Sequence, residues 1–397
     1  MINPSINGWI DKFFQENQTN FNNYFDYETF YKDLRKSGFI YGHPISINLK
    51  KTIDLSGLSL DEITKISFLN NLYTVFCIKT KNKNISDFLE SINSFYKSIQ
   101  KENYTFLTKL LPSSSDSVQL ESIINDRIQT NQNIVTKSFS HIVINAMLFL
   151  DVLGYDNFIN NSDFSEKYLK EFESNCMKVV SLAFKIKNNK SKYDELLIKL
   201  FENSLRYSKF QNIDTLTIDE INFKQFESKI EKLYILDLVE MAMWNDKKLE
   251  LNEYKFLQSI GSKLNLENNY LESSIITIED FITTHKGEIS YFNYSNPVKH
   301  FYDQTNKTVS KLITRNKKRL IKEISESKEL MILLAQSTSR ELDKDEKKKV
   351  KKQLLDICKT IPSLTIFLLP GGGILLPILV KYIPQLLPSA FNENLEE

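Results

Sequence analysis

Glycine and proline are scarce along most of this chain, with 10 glycines and 9 prolines among 397 residues. Tight turns and hairpins lean on those two residues, so their scarcity disfavours a sheet protein and favours long helices. Cysteine is rarer still. Cys77, Cys176 and Cys358 are odd in number, far apart and without metal-ligand spacing, which excludes a disulfide framework or a zinc site; buried thiols in a reducing compartment are expected. The four histidines (His43, His141, His285, His300) are scattered, and no nucleophile elbow is present. No glycine-rich loop carries the Lys-Ser/Thr that a phosphate cradle needs, because Gly371 to Gly373 lie inside apolar sequence. No enzyme activity, catalytic residue, metal or cofactor is therefore expected. Neither charge dominates: 51 basic against 50 acidic residues give no global pull toward DNA, and only local clusters can bind an anion. Met1 to Asn20 lacks the continuous apolar run of a secretory signal, so the helical bulk is expected in the cytoplasm.

What is there is helical periodicity. Ser59-Leu60-Asp61-Glu62 has the form of a capping box, opening a helix with Ile63, Ile66, Leu69, Leu72, Tyr73 and Phe76 on one stripe. Ser86 is expected to cap the next helix, which buries Phe88, Leu89, Ile92 and Phe95. Ile142 to Leu150 is apolar nearly all round, which predicts a central buried helix too short to cross a membrane. Phe39 to Pro44 breaks the helical period and reads as a loop. No repeat of fixed period supports a solenoid. The expected fold is all-α: a helical N-terminal domain over 1–215, a second helical domain over 216–295, and basic helices with an apolar end over 296–397.

Residues 299–322 hold the clearest charge pattern. At helical pitch Lys307, Lys311, Arg315, Lys318 and Lys322 share a face, with Val309, Leu312, Ile313, Leu320 and Ile321 roughly opposite. A second cluster, including Lys348 and Lys352, stands directly before the apolar end. Such faces suit anionic lipid headgroups, at about 1 kcal/mol per cation, or RNA phosphates. The alternative is an ordinary solvated helix face.

Residues 361–380 carry no charge, enough at about 1.5 Å per residue to cover roughly the 30 Å core of a bilayer. The obstacle is Pro370-Gly371-Gly372-Gly373, which opens the helical hydrogen bonding in the middle of the run. Three readings stay open: one kinked span, two short re-entrant or interfacial helices, or an apolar segment buried in the protein's own core. The residues marking the segment are Ile361, Pro362, Pro370, Gly371, Gly372, Gly373, Leu376, Pro377, Lys381, Pro384 and Pro388. Lysines crowd before it whereas Glu393, Glu396 and Glu397 follow, which fits a body on the cytoplasmic face of a bacterial inner membrane.

The same end resembles a known family. Leu375-Leu376-Pro377, Lys381, Tyr382-Ile383-Pro384 and Leu387-Pro388-Ser389-Ala390-Phe391, preceded by Leu342 and Glu346 in a Leu-x-x-x-Glu helix start, are similar to the leucine-zipper/EF-hand transmembrane (LETM) family. The nearest kin by this resemblance are bacterial LETM-related biofilm-associated proteins. The resemblance implies a membrane core, a ribosome as partner, and a place in cation or proton homeostasis. Where the family has an acidic residue in the apolar segment, Gly373 stands here. The family's ribosome-linked domain is expected beyond the membrane core, and only six residues follow Phe391. A second resemblance lies at 225–285, where Asp246, Leu249 and Glu253 take the places of the Asp, apolar residue and Glu of a TerB-like turn, with Lys247 at its glycine. Together these imply a non-enzymatic tether holding a helical body at the inner membrane; a transport component and a soluble helical scaffold are the alternatives.

Overall fold

The computed structural model describes residues 2–99, 115–128, 147–160, 166–187, 217–243, 250–285, 287, 309–361, 364 and 383. Among them are helices and no strand, only an isolated antiparallel bridge between Phe21 and Leu49. The protein is all-α. The chain divides into two compact units: residues 1–55, 60–130 and 139–295 form the first, and 56–59, 131–138 and 296–397 the second.

The described helices of the first unit are α1 (Trp9–Asn17), α2 (Tyr27–Lys36), α3 (Leu60–Thr80), α4 (Ile85–Ser98), α5 (Asp116–Ile128), α6 (Phe149–Asn160), α7 (Glu166–Ile186), α8 (Lys229–Met243), α9 (Leu251–Lys263) and α10 (Asn268–His285). Helix α3 is the axis, with α5 and α6 packed on it, and α7 packs along α8. The single apolar stripe expected on α3 is an incomplete account, because its opposite face is buried too, including Thr64, Asn70 and Thr74, and a lysine, Lys65, is buried within the stripe. These side chains tolerate burial by bonding to nearby backbone. Thr64 donates to the Leu60 carbonyl (2.8 Å), Thr74 to that of Asn70 (2.7 Å), and Lys65 to that of Pro4 (3.3 Å). Helix α4 is capped by Asn84 rather than Ser86: its amide oxygen accepts from the Ser86 and Asp87 amides at 2.8 and 3.2 Å. The all-round apolar stretch is described only from Met147 to Leu150, all four buried. Its upstream part lies outside the described residues.

Two devices fix the first unit's loops. The carboxylate of Glu121 on α5 accepts the Gly8 and Ile10 amides, each at 3.0 Å, so a side chain from another helix satisfies the exposed amides at the start of α1. After α2 the chain turns at Gly38, whose φ of 76° is left-handed; an added Cβ would meet the His43 carbonyl oxygen at 2.3 Å and Phe281 Cζ at 2.7 Å. The turn delivers Phe39, Ile40 and Tyr41 into the core.

Tyr41 reaches a buried charge cluster that no sequence pattern announces. Arg35 on α2 meets Asp237 on α8 at 3.0 Å and Glu240, one turn along, at 3.5 Å; no side chain of the three is more than 6% exposed. Arg35 also donates to the Ser274 carbonyl and hydroxyl on α10, both at 3.0 Å. Asp237 accepts the Tyr31 hydroxyl at 2.6 Å and that of Tyr41 at 3.1 Å. Among the described residues Glu240 accepts a hydrogen bond only from the Ser274 hydroxyl, at 2.9 Å, and its second oxygen has no hydrogen-bond partner. One guanidinium faces two carboxyls in a medium that disfavours charge. Burial pushes the Asp237 carboxyl up, against the lowering pull of Arg35 and the two tyrosine hydroxyls; burial and the neighbouring Asp237 push Glu240 up to about 8.

The second unit is built from a helical run over 309–315, α11 (Lys317–Ser325), α12 (Lys328–Ser339) and α13 (Lys344–Thr360). Its core includes Leu312, Leu320, Leu330, Leu334, Leu354 and Ile357. Ile361, Leu364 and Ile383 are buried in the same core. No helix among the described residues is long and apolar enough to cross a membrane.

Arg35→Met leaves Asp237 buried without its cation and should cost about 3–5 kcal/mol in urea unfolding. Gly38→Ala should cost more than about 2 kcal/mol, since left-handed strain adds to the clash with His43 and Phe281. The stability that the raised Glu240 supplies is fully present below about pH 4.5 and is lost as pH rises through about 8. Unfolding free energy should therefore fall across that window by up to about 1.4 kcal/mol per pH unit, and Glu240→Gln should flatten the profile.

Candidate interaction surface

Helix α13 is fixed at its start by three residues of the loop before it. Asp343 is the N-cap, accepting the Asp345 and Glu346 amides at 2.9 and 2.8 Å, and Glu346 accepts the Asp343 amide at 2.9 Å, which completes a capping box. Arg340 clamps the same Glu346 through two nitrogens at 2.7 and 2.8 Å. That clamp, with the Asp343 amide behind it, holds the Glu346 carboxyl down at about 2. Leu342 is buried in the core beside the cap. The Leu-x-x-x-Glu helix start thus has a physical meaning: the leucine docks the loop and the glutamate closes the helix end.

With that start fixed, Val350, Leu354, Ile357 and Cys358 face the core. Burial pushes the Cys358 thiol up to about 12. Lys348, Lys352 and Lys359 then lie on the side away from the core, at helical spacings of four and seven. Lys359 is held by Asp356 at 2.6 Å, and Lys349 on the flank by Glu329 of α12 at 2.9 Å. Among the described residues Lys344, Lys347, Lys348, Lys351 and Lys352 form no ion pair, and all five are exposed.

Of the other expected phosphate contacts, Lys311, Lys318 and Lys322 are exposed around the helical run and α11. Arg315 is half-buried and donates to the Gly57 carbonyl at 3.4 Å, so part of its guanidinium is turned toward the protein. The face is interrupted at Asn316, whose amide donates to the Leu312 carbonyl at 2.7 Å. Lys307 lies outside the described residues, as do Pro362, Pro370, Gly371, Gly372, Gly373, Leu376, Pro377, Lys381, Pro384 and Pro388.

Residues 342–397 match the family model described as LETM1-like, RBD, the ribosome-binding domain of that family. This end of the chain is LETM1-like. A search of the curated proteins and a search of the solved structures find no match to the chain. The LETM1-like match corrects one expectation: the family's ribosome-linked part, placed after the membrane core, was expected to be missing here, yet the match to it begins at Leu342 and takes in the whole lysine helix. The buried leucine and clamped glutamate open the matched segment, and the unpaired lysines lie within it.

In the stretch expected to resemble TerB-like domains, α8 ends at Met243 and α9 opens with Glu250 as N-cap and Glu253 at its third position. The Glu253 carboxylate accepts the Glu250 amide at 2.9 Å. It is spent on capping; Asp246, Lys247 and Leu249 lie outside the described residues. No group of three or more metal-ligating side chains occurs among the described residues.

A carboxylate held low by its partners stabilises the fold above its ordinary 4.5 and stops doing so as pH falls toward about 2. Protection of the first-turn amides of α13, corrected for intrinsic exchange, should therefore fade between those values. Glu346→Ala should produce the same loss at neutral pH.

Proposed function

We propose that this protein is a non-enzymatic helical binding protein that docks on the ribosome through its LETM1-like C-terminal helices. The reading is carried by one coincidence: the segment matching a ribosome-binding domain is the one that carries Lys344, Lys347, Lys348, Lys351 and Lys352, five exposed lysines that form no ion pair among the described residues. Ribosomal RNA presents dense phosphate, and an array of exposed lysines on a rigid helix gains affinity by releasing its counterions. The helices of 1–215 and the TerB-like helices of 216–295 are the body so carried.

A second reading is favoured by the twenty uncharged residues from Ile361 to Val380. In it the apolar end holds the body at the cytoplasmic face of the inner membrane, with Lys311, Lys318, Lys322, Lys348 and Lys352 on anionic lipid. The burial of Ile361, Leu364 and Ile383 among the side chains of the second unit favours the soluble scaffold, in which this end belongs to the domain core. Exchange of cations is the weakest extension, since Gly373 stands where the family carries an intramembrane acid.

Co-sedimentation with purified ribosomes tests the proposal. Full-length protein should pellet with ribosomes at about 50 mM salt and be released by about 200 mM, the range over which phosphate contacts lose most of their affinity. Replacing Lys344, Lys347, Lys348, Lys351 and Lys352 by glutamine should abolish pelleting without unfolding the protein, since all five side chains are exposed. Pelleting that survives those substitutions sinks the lysine face as the contact. Protein that stays in membranes through high salt and alkaline carbonate supports the anchor; a version ending at Thr360 that aggregates supports the core reading.

A further inference from the structure

The first unit carries a half-open pocket of about 610 Å³ between the loop following α1, the loop at Lys50, the end of α3 and the start of α4. That volume lies in the range of small-ligand sites. Its charge is one-sided. Lys50, Lys81 and Lys83 line it, with no Asp or Glu among the lining residues. All three are exposed, and none forms an ion pair among the described residues. Lys83 is steadied by the Asn23 side-chain oxygen at 2.8 Å.

The pocket also offers aromatic surface. Phe21 and Tyr73 form its inner wall, in edge contact at 4.7 Å. At the mouth Phe25 is 89% exposed, a large apolar ring standing in water. An isolated exposed phenylalanine is unremarkable on its own. One at the rim of a pocket with three unpaired cations is placed to cover a flat ligand. Gln18, Asn22 and Asn23 add amide groups able to donate and accept.

Lys81 supplies an independent observation. It follows the last residue of α3 with φ at 57°, the left-handed position that helix ends usually give to glycine or asparagine. A lysine there strains the backbone, and its amide still closes the helix by donating to the Cys77 carbonyl at 3.1 Å. Glycine would serve that local geometry better. What lysine adds is a cation aimed from a fixed helix end beside the pocket.

We propose that this pocket binds a nucleotide-class ligand, a flat heteroaromatic base bearing a phosphate tail. The base stacks on Phe25 and bonds to the amide side chains; the phosphates lie among Lys50, Lys81 and Lys83. Stacking on an aromatic ring tolerates any base, so the geometry specifies the class and leaves the base open.

The test is a calorimetric titration of the full chain with ATP at low salt, beside inorganic triphosphate and adenosine as its two halves. Saturable ATP binding is expected, with each half at least about tenfold weaker, since each lacks contacts the other makes. Phe25→Ala should weaken ATP by about tenfold without affecting triphosphate. Lys81→Gly is the sharper variant: it should raise the melting temperature by relieving the left-handed strain while weakening ATP and triphosphate alike. Absence of saturable ATP binding overturns the proposal. So does triphosphate binding as tightly as ATP, or affinity unchanged in both variants. If ATP does not bind but vesicles of phosphatidylglycerol do, and Phe25→Ala releases them, the patch is a lipid contact and the nucleotide assignment is wrong.

Discussion

One guanidinium organises the first unit. Arg35 stands where α2, α8 and α10 meet, and its contacts to Asp237, Glu240 and Ser274 link segments up to 239 residues apart in sequence. A buried pair of this kind adds little net stability over an apolar contact, because removing two charges from water costs nearly what their attraction returns. Its force is in specificity. Any arrangement that separates α2 from α8 strands a charge in the core, so near-native packings without this contact are strongly disfavoured. The turn at Gly38 serves the same end by swinging Tyr41 back onto Asp237 (3.1 Å). The second acid, Glu240, shows the limit of the design: a single cation cannot hold two buried carboxylates ionised.

The second unit treats charge in the opposite way. Its buried apolar side is ordinary, but its outer side keeps lysines that the acids nearby do not neutralise. Where acids are present they are used at specific points: Glu346 on Arg340 and the end of α13, Glu329 on Lys349, Asp356 on Lys359. The remaining lysines are left to solvent or to a partner. Exposed cations contribute little to folding, so those along α13 could be given up to a partner at little cost to stability.

Helices, their apolar faces and the signature of the C-terminal segment were legible because they rest on local rules. The periodic burial of α4 and the Leu342 and Glu346 start of α13 each depend on neighbours within about one helical turn. The two-sided burial of α3 was hidden because Thr64, Asn70 and Thr74 are polar and carry no apolar period; only knowing what packs there reveals that backbone carbonyls receive them. The cap of α4 was misplaced by two residues, since Asn84 and Ser86 are both good caps and the backbone path chooses between them.

The sequence by itself determined an all-helical protein, its basic C-terminal helices and the LETM-like character of its end, since composition, period and a proline-spaced motif are carried by adjacent residues. Only the tertiary structure decided which charges are buried together and which are left free. Arg35 and Asp237 are separated by some two hundred residues, and Phe25, Lys50 and Lys81 come from three different segments. A charge's meaning depends on its distance from other charges and from water, and that distance is fixed only when the helices pack.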